Sequence, residues 1–381
     1  MRGKYFKKSS RILILTVLIL SLTLTVLASQ AAADLSVHFI DVGQGDAILI
    51  QHESENKNML IDGGDRWNWV GEKLVGYLNQ QGVEQVDAVV STHPHADHIG
   101  GLDDVIRNFE VRRVYDSGRV HTTQTFENYL MLIDEKDIPY HTPRTGDTIE
   151  LGELVFQVLH PGEEVEDYSL NDASIVLRLE YHEISFLFTG DAEYQAEREM
   201  VAAAEEPDFE LESTILKVGH HGSSTSTSDF FLEAVNPEAA VIQVGQDNRF
   251  GHPAAEVLEA LANQNIEIYR NDLHGDIVIE TDGVDYQVLV SREADPRAPP
   301  AEAPAEEEKE DPPAEADPDK ININTAPLDD LQELHGIGPA YAENIIEYRE
   351  EHGGFQAKEE IKQVPGIGPA TFEDIKVDIT L

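Results

Sequence analysis

The chain has 381 residues, of which 41% are hydrophobic, enough for one large folded domain and a second small one. It contains no cysteine, which excludes disulfide bonds and a lipid-modified N-terminal cysteine. Its formal charge of −46 repels nucleic acid and anionic lipid at low salt, and because salt screens that repulsion, the charge indicates either a saline habitat or simply an acidic, soluble protein.

The N-terminal segment has the three-part organisation of a secretory signal. Five Lys and Arg residues lie within the first eleven positions, an apolar run follows from Ile12 to Ala28, and Ala31–Ala33 forms a candidate cleavage site. Because the apolar run is also about long enough to span a bilayer, an uncleaved anchor that faces outside is the alternative. We predict a signal peptide over residues 1–33 and a secreted chain, with no stable membrane span if the signal is cleaved.

An acidic, proline-rich stretch divides the rest of the chain into two parts. Residues 293–319 are almost entirely Glu, Asp, Pro and Ala, a composition that cannot bury enough apolar surface to fold. We therefore predict a disordered linker over 293–319, a large domain over 34–292 and a small domain over 320–381.

Short apolar runs punctuated by Gly and Asp predict strands in the large domain, and longer runs with helical spacing predict helices. The strand candidates are SVHFIDVG, DAILIQH, KNMLIDGG, VDAVVST, LVFQVLHPG, ASIVLRLEY, ISFLFTGD, STILKVGHHG and AAVIQVG. The helix candidates are WVGEKLVGYLNQQG and PAAEVLEALANQN. Strands that form a meander and then alternate with helices predict an α/β fold in which two sheets are sandwiched between helices.

Three histidines and an aspartate crowd the segment that follows the strand candidate VDAVVST. Alternation places His93, His95 and Asp97 on one side of an extended segment, and the two glycines that follow let the chain turn so that His98 joins them. Two imidazoles can hold one divalent ion, while Asp97 and His98 reach a second ion beside it. Paired ions suit hydrolysis of phosphoesters and related bonds, so the cluster predicts a two-metal hydrolase.

The HxHxDH motif after a strand resembles the signature of the metallo-β-lactamase superfamily, which implies an αββα sandwich that binds divalent metal. The runs that follow one another here are HFIDVGQGDAILIQ, MLIDGG, STHPHADHIGGL, VLHPG, NDASIVLRLEY, FTGDAE, LKVGHHGSSTSTS and GHP. This order resembles that of the extracellular hydrolase-like domain of ComEC-type DNA-uptake channels, without the channel's membrane helices. The resemblance covers residues 37–290 and implies a metal-dependent hydrolase with two divalent ions, Zn²⁺ or Mn²⁺.

The resemblance assigns further residues to the predicted metal centre. Asp191 matches the superfamily's carboxylate that bridges two ions, and one histidine of the pair His220 and His221 matches the final metal ligand. The superfamily's middle histidine is absent, because Asn171 and Asp172 occupy its expected place. We expect the first metal site to be less complete than in zinc lactamases.

We expect a metal-activated water to be the nucleophile, with Asp97 orienting it or accepting its proton. Lys217 would stabilise negative charge as it develops on the substrate, and a lysine that merely ends a strand is the alternative. The residues of a further group either serve the site or only shape a turn or the protein core. This group comprises Asp46, Asp62, Asn171, Asp172, Ser223 and His252.

The small domain contains two copies of one pattern, LQELHGIGPAYAENII and IKQVPGIGPATFEDIK. Each copy predicts a helix, a Gly-Ile-Gly hairpin and a second helix that begins near a proline, so we predict a small all-α domain. It resembles the tandem helix-hairpin-helix domain of ComEA-type DNA receptors. That resemblance implies that hairpin amides hold the DNA backbone without reading its sequence. The residues concerned are Gly336, Ile337, Gly338, Gly366, Ile367 and Gly368.

The small domain is itself acidic, with five Lys and Arg against twelve Asp and Glu, so amides rather than basic side chains would have to hold DNA. A protein-docking role is the alternative for this domain. Together the two domains predict a secreted metal-dependent phosphodiesterase or nuclease that acts on extracellular DNA, in DNA uptake alongside the uptake machinery or in nutrient scavenging. Two other interpretations remain: a metallo-hydrolase of a non-nucleic-acid substrate, and a DNA-binding receptor with a vestigial hydrolase domain.

Overall fold

The computed structural model describes residues 33–296, apart from 205, 207, 208, 247 and 249, and the greater part of 321–380. Within 321–380, residues 327, 329, 330, 332, 333, 335, 336, 353, 354, 356, 369, 370, 373, 374, 377 and 378 are not described. The predicted signal peptide up to residue 32, the predicted linker from residue 297 onward and Gly336 therefore lie outside the described residues. No helix in the described part of the chain is long and apolar enough to cross a membrane.

The chain divides into two compact units, and residues 35–290 belong to the larger one apart from 120–127. The strands of this part are β1 (Leu35–Phe39), β2 (Ile48–His52), β3 (Lys57–Ile61), β4 (Gln85–Val86), β5 (Ala88–Ser91), β6 (Glu110–Val111), β7 (Val114–Asp116), β8 (Tyr140–His141), β9 (Thr148–Leu151), β10 (Leu154–His160), β11 (Val176–Tyr181), β12 (Ile184–Phe188), β13 (Ile215–Lys217), β14 (Ala239–Ile242), β15 (Glu267–Arg270), β16 (Ile277–Thr281) and β17 (Tyr286–Val290). The helices are α1 (Asn68–Gln80), α2 (Ala96–Ile99), α3 (Leu102–Asn108), α4 (Gln124–Glu135), α5 (Tyr194–Ala203), α6 (Asp229–Val235), α7 (Ala255–Asn263) and α8 (Asn271–His274).

Two mixed sheets form the centre of the larger unit. The first sheet has the strand order β17-β16-β1-β2-β3-β5-β7-β8, and the second has the order β15-β14-β13-β12-β11-β10-β9. In the first sheet the strands from β17 to β3 pair antiparallel and those from β3 to β8 pair parallel. In the second sheet the strands from β9 to β12 are antiparallel and those from β12 to β15 are parallel. Each sheet therefore joins a meander to a parallel half that needs helical crossovers.

The two sheets enclose the main apolar core of this unit. The first sheet contributes Phe39 and Ile279 and the second contributes Phe156 and Phe188, all of them buried. The rings of Phe39 and Phe188 lie 6.4 Å apart, so side chains of the two sheets meet directly. Burial of this apolar surface is the main stabilising contribution to the sandwich.

Helices cover the outer face of each sheet. On the second sheet, Met200 of α5, Phe231 of α6 and Leu261 of α7 join one apolar cluster with residues of β13 and β14. On the first sheet, Tyr77 of α1 hydrogen-bonds through its hydroxyl to Nδ1 of His38 in β1 at 3.0 Å. The order helix, sheet, sheet, helix confirms the predicted αββα sandwich.

The smaller unit combines helices with one very short ladder. Its helix α9 spans Pro339–His352, and β18 (Ile321–Asn322) pairs parallel with β19 (Ile379–Thr380). Apolar side chains from the described residues, including Leu331, Ile345 and Phe355, form a separate core. The helical domain predicted from the sequence is confirmed, with the addition of this ladder, since two-residue strands leave no periodic pattern to detect.

The two Gly-Ile-Gly hairpins repeat one geometry within the smaller unit. The amide of Ile337 donates to the carbonyl oxygen of Leu334, and the amide of Ile367 donates to that of Val364, each over 3.0 Å. The side chains of both isoleucines are buried in the core of the unit. Both isoleucines therefore have partners within the protein, and in the first hairpin Gly338 comes directly before α9.

Candidate metal centre

Loops at one edge of the sandwich bring the predicted metal-binding residues together. Asp62 follows β3, the histidine motif follows β5, Asp191 follows β12, and His220 and His221 follow β13. Each of these strands belongs to the parallel half of its sheet, or borders it, so their carboxyl ends lie on the same side. Residues far apart in the sequence are thereby placed in one cluster.

A single carboxylate oxygen, Oδ2 of Asp191, lies at the centre of this cluster. Nε2 of His98 is 3.1 Å from it and Nε2 of His221 is 3.4 Å from it. Nε2 of His220 and Nε2 of His93 lie at 3.8 and 3.9 Å. Four imidazole nitrogens therefore converge on one buried carboxylate.

The buried carboxylate of Asp62 orients His98. Its Oδ2 lies 2.8 Å from Nδ1 of His98. The same carboxylate accepts the amide of Thr92 at 2.8 Å and the hydroxyl of Thr92 at 2.7 Å. An acceptor held in this way fixes the ring and leaves Nε2 pointing at Asp191, as a residue that orients a metal ligand does.

The histidine motif contributes two more residues to the cluster, His95 and Asp97, which lie at different places in it. Nδ1 of His95 is 3.0 Å from Nε2 of His93, so two potential ligand nitrogens face one another. Oδ2 of Asp97 lies 3.2 Å from Nε2 of His221, and its Oδ1 lies 4.0 Å from Nε2 of His98. The cluster thus has a His93 half, which includes His95, and a His221 half, which includes Asp97, and the two halves meet where the rings of His93 and His98 lie 4.1 Å apart.

Several buried atoms of the cluster have no hydrogen-bond partner among the described residues. They are Nε2 of His98, Nε2 of His221, Oδ1 of Asp191 and Oδ1 of Asp46. One ligand atom from each of these four residues lies within 4.8 Å of the others. Because unpartnered buried polar atoms are costly, and imidazole with carboxylate suits divalent ions, the residues present fit a metal ion.

The charges of the cluster depend on one another. Burial lowers the pKa of His98, but the carboxylates of Asp191 and Asp62 outweigh burial and raise that pKa well above its ordinary value. Burial raises the pKa of Asp191, but the neighbouring His221 and His98 outweigh it and hold the pKa well below its usual range. A divalent cation bound here would compete with protons for these nitrogens, so its binding would release protons.

Lys217 is buried beside the cluster and does not face solvent. Its ammonium forms an ion pair with Oδ2 of Asp46 and donates to the carbonyl oxygen of Gly190 at 2.8 Å. It also lies 3.8 Å from Oδ1 of Asp191. The positive charge is therefore engaged by two carboxylates of the protein, and its predicted contact with substrate stays a prediction.

The residues at the expected place of the missing histidine have other partners. Oδ1 of Asp172 accepts the amides of Glu193 and Ala196 at 3.0 and 3.1 Å, at the start of α5. The amide side chain of Asn171 is among the hydrogen-bond partners of Glu193. His160 hydrogen-bonds through Nε2 to the carbonyl oxygen of Asp172 at 2.6 Å. Asp172 thus stabilises a helix start.

The remaining predicted residues lie at the rim of the cluster. Oγ of Ser223 is 2.9 Å from Oγ1 of Thr225, within the turn that follows the paired histidines. The ring of His252 lies 5.8 Å from that of His220 and is stacked on Phe250. Neither Ser223 nor His252 is part of the converging set around Asp191.

Sequence reasoning missed two groups that hold the paired histidines. Oε1 of Glu193 lies 2.9 Å from Nδ1 of His220, and the carbonyl oxygen of Gln243 lies 3.0 Å from Nδ1 of His221. Glu193 stands two positions after Asp191 in FTGDAE, so proximity in sequence was a usable signal. The backbone carbonyl of Gln243 could not be found in this way, because every residue type has a backbone carbonyl.

The chain is similar to a known motif family and to known proteins. The helix-hairpin-helix motif family matches residues 317–380. "ComE operon protein 3" of Bacillus subtilis is 31% identical over 69% of this chain and 34% of its own length. "Recombination protein 2" of Haemophilus influenzae is 26% identical over 68% of this chain and 31% of its own length. The chain thus spans about a third of the length of these curated relatives.

The small domain has relatives of its own, and the fold has solved neighbours. "ComE operon protein 1" of Bacillus subtilis is 56% identical over 16% of this chain and 30% of its own length. The metallo-beta-lactamase fold protein YhfI of Bacillus subtilis aligns with a TM-score of 0.41 at 17% identity, over 62% of this chain and 96% of YhfI. The Metallo-beta-lactamase superfamily matches residues 40–246, which is more than half of the chain and contains every residue of the cluster around Asp191. The resemblance inferred from the HxHxDH motif is confirmed, and the chain belongs to the metallo-β-lactamase superfamily.

Proposed function

We propose that this protein is an exported, metal-dependent phosphodiesterase that cleaves DNA, with the helix-hairpin-helix domain holding the DNA backbone. The observation that carries the proposal is the convergence of four histidine Nε2 atoms on Oδ2 of Asp191. Divalent ions bound there supply a water of lowered pKa and a positive charge that offsets the negative charge of a phosphodiester. The ligand residues are His93, His95, Asp97, His98, Asp191, His220 and His221.

Asp97 is the residue of this set best placed to act on the attacking water. Its side chain is 28% exposed, whereas those of Asp191 and His98 are buried. A carboxylate at the solvent side can hold a water by a hydrogen bond or take up its proton. Lys217 acts from the buried side of the cluster. Its positive charge offsets the negative charges of Asp46 and Asp191 and keeps their carboxylate oxygens in place.

Two exposed aromatic side chains, one stacked on His252 and one beside the loop that leads to Asp46, support a nucleic-acid substrate. Trp69 is 52% exposed, and a Cβ added at Gly43, three residues before Asp46, would lie 2.9 Å from its ring. Phe250 is 52% exposed and stacks on His252 beside His220. Such rings offer stacking surfaces to bases of a single strand, whatever the sequence.

The hairpins support DNA as the partner of the small domain. The amides of Ile337 and Ile367 already donate within the hairpins, so we propose that the glycine amides at 338 and 368 face phosphate. A further relative, "Competence protein ComA" of Neisseria gonorrhoeae, is 30% identical over 62% of this chain and 30% of its own length, and its name links that protein to competence. We infer that this chain acts in DNA uptake or in scavenging of DNA.

The proposal is tested by incubating the full chain with plasmid and linear DNA and with Mn²⁺, Zn²⁺ or a chelator, at several salt concentrations. We expect cleavage that requires metal and that is lost in Asp97→Ala, whereas His182→Ala, which removes an exposed histidine outside the cluster, leaves cleavage unchanged. A chain that binds metal and DNA but cleaves neither the plasmid nor the linear DNA would overturn the nuclease proposal. Turnover of a generic phosphodiester without turnover of DNA would point to another substrate.

A further inference from the structure

We propose that the consecutive histidines His220 and His221 bind two different metal ions, so that this one turn completes both metal sites. The inference deepens the proposed function and rests on it. The first ligand set is His93, His95, Asp191 and His220, and the second is Asp97, His98, Asp191 and His221. Asp191 lies between the two sets, and His220 takes the place of the missing middle histidine.

The backbone of the turn is what allows neighbouring histidines to face one centre. His220 has φ +44° and His221 has φ +53°, both in the left-handed region that side chains other than glycine rarely adopt. Two such residues in succession kink the short helical turn Gly219–Gly222. The two rings end 5.9 Å apart at an angle of 65°, and each presents Nε2 to Asp191. Strained backbone of this kind persists where the surroundings enforce it, commonly at ligand sites.

Both rings are held in the tautomer that a metal ligand needs. Nδ1 of His220 faces Oε1 of Glu193, which also accepts the hydroxyl of Thr225 at 2.6 Å. Nδ1 of His221 faces the carbonyl oxygen of Gln243. These partners only accept, so Nδ1 of each ring donates, and in the neutral ring Nε2 carries the lone pair. A histidine with a purely structural role does not need its second nitrogen kept free.

His220 offers the His93 half of the cluster a fourth candidate ligand. Nε2 of His93 and Nδ1 of His95 lie 3.0 Å apart, and Asp191 adds a third donor atom. Asp172 cannot add a fourth, because its carboxylate accepts the amides at the start of α5. Nε2 of His220 lies 3.8 Å from Oδ2 of Asp191, within reach of a shared ion. A protein site for Zn²⁺ usually takes three or four protein ligands.

His221 belongs to the other half. Its Nε2 lies 3.2 Å from Oδ2 of Asp97, and its ring lies 5.2 Å from that of His98. Asp46 is near this half, yet its carboxylate is engaged by the ammonium of Lys217 on the Nδ1 side of the His221 ring. Asp46 therefore supports the second set and is not one of its ligands.

The assignment is tested by metal content and affinity of the full chain, measured by mass spectrometry of bound metal and by calorimetric titration with Mn²⁺ and with Zn²⁺. We expect two ions per chain. His220→Ala and His221→Ala each lower the affinity for one ion by about tenfold or more and leave the other ion bound. Glu193→Gln lowers the affinity for the same ion as His220→Ala does. His182→Ala, which removes an exposed histidine outside the cluster, is the control and leaves both affinities unchanged. Circular dichroism checks that each variant folds, and His220→Gln replaces any alanine variant that does not.

Double variants decide which ion each histidine serves. His220→Ala added to His93→Ala weakens only the one ion that His93→Ala weakens, because both remove ligands of that ion, whereas His220→Ala added to Asp97→Ala weakens the binding of both ions. His221→Ala shows the reverse pattern. Two ions with unchanged affinities in His220→Ala, or a wild-type chain that binds a single ion, would overturn the inference while leaving the proposed hydrolase intact. A wild-type chain that binds neither metal would instead overturn the proposed function itself.

Discussion

Lys217 and Asp46 form an ion pair that is buried inside the protein, although both residues border the candidate metal centre. Each is 1% exposed, and Oδ1 of Asp46 also lies 3.3 Å from Nδ1 of His221. The lysine reaches the pair from the end of β13 and the aspartate from the loop before β2, so the pair links the two sheets. Burial of two charges is costly, and their mutual attraction with additional hydrogen bonds offsets that cost.

Removal of this lysine is expected to destabilise the fold. Lys217→Met leaves Asp46 buried without its cation, and the free energy of unfolding should fall by about 3–5 kcal/mol, measured by urea denaturation with chelator present. Adding Asp46→Asn should recover part of the loss. The control is Lys73→Met, which removes a half-exposed partner of Asp41 and should cost no more than about 1 kcal/mol. Equal losses for both lysines would contradict this account of the pair.

Glu197 gives the stability of the larger unit a pH dependence of known sign. Burial raises the pKa of Glu197 from 4.5 to about 6, although the hydroxyl and amide of Ser228 and the amide of Thr227 donate to it. Between pH 4.5 and 6 the folded chain keeps a proton that the unfolded chain has released. The free energy of unfolding therefore falls by about 2 kcal/mol as the pH rises through this window.

The variant Glu197→Gln isolates this contribution, because its side chain does not titrate. The difference in unfolding free energy between wild type and Glu197→Gln should change by about 2 kcal/mol between pH 4.5 and pH 7, in the direction that favours wild type at the lower pH. Urea denaturation at a series of pH values measures it. A difference that stays constant across the series would show that Glu197 is ionised normally in the folded chain.

Much of the centre could be predicted because the information was local. The spacing of His93, His95, Asp97 and His98 placed four candidate ligands within one segment, and the alternation of strand and helix patterns predicted the layer order. Asp191 could be found only through its motif, since nothing local distinguishes it from the many other aspartates of this acidic chain. A compact motif after a strand is therefore the most transferable signal.

The partners of those ligands could not be predicted, because they depend on how distant strands pair. The acceptor for His221 is a backbone carbonyl after β14, and Asp46 meets Lys217 only because the two sheets stack. Asp172 stands where the superfamily's middle histidine is expected, and only the structure shows that it holds the start of α5. Sequence identifies residue types, but the direction of a side chain follows from tertiary packing.

The hairpin glycines should carry the DNA affinity of the small domain. A Cβ added at Gly338 or Gly368 meets no atom within 4 Å, so the double variant Gly338→Ala, Gly368→Ala should fold with an unchanged melting temperature. We expect it to bind fluorescent DNA at least tenfold more weakly, because the methyl groups keep phosphate from the amides. Lys362→Ala, which removes an exposed cation of the same unit, is the control for charge. Unchanged affinity in the glycine variant would indicate that the domain docks a protein instead.

Trp69 should contribute to the binding of single-stranded substrate and not to the chemistry. Its exposed ring beside Gly43 can stack on one base, and such stacking contributes about 1–3 kcal/mol per base, or roughly 5- to 150-fold in affinity. Trp69→Ala should therefore raise KM for single-stranded DNA within that range and leave kcat and the turnover of bis(p-nitrophenyl) phosphate unchanged, since that ester has no base to stack. Val155→Ala, an exposed apolar residue of β10, is the matched control for a lost surface side chain. If Trp69→Ala slowed both substrates equally, the ring would be acting on the metal centre through the loop before Asp46, and stacking would be excluded as its role.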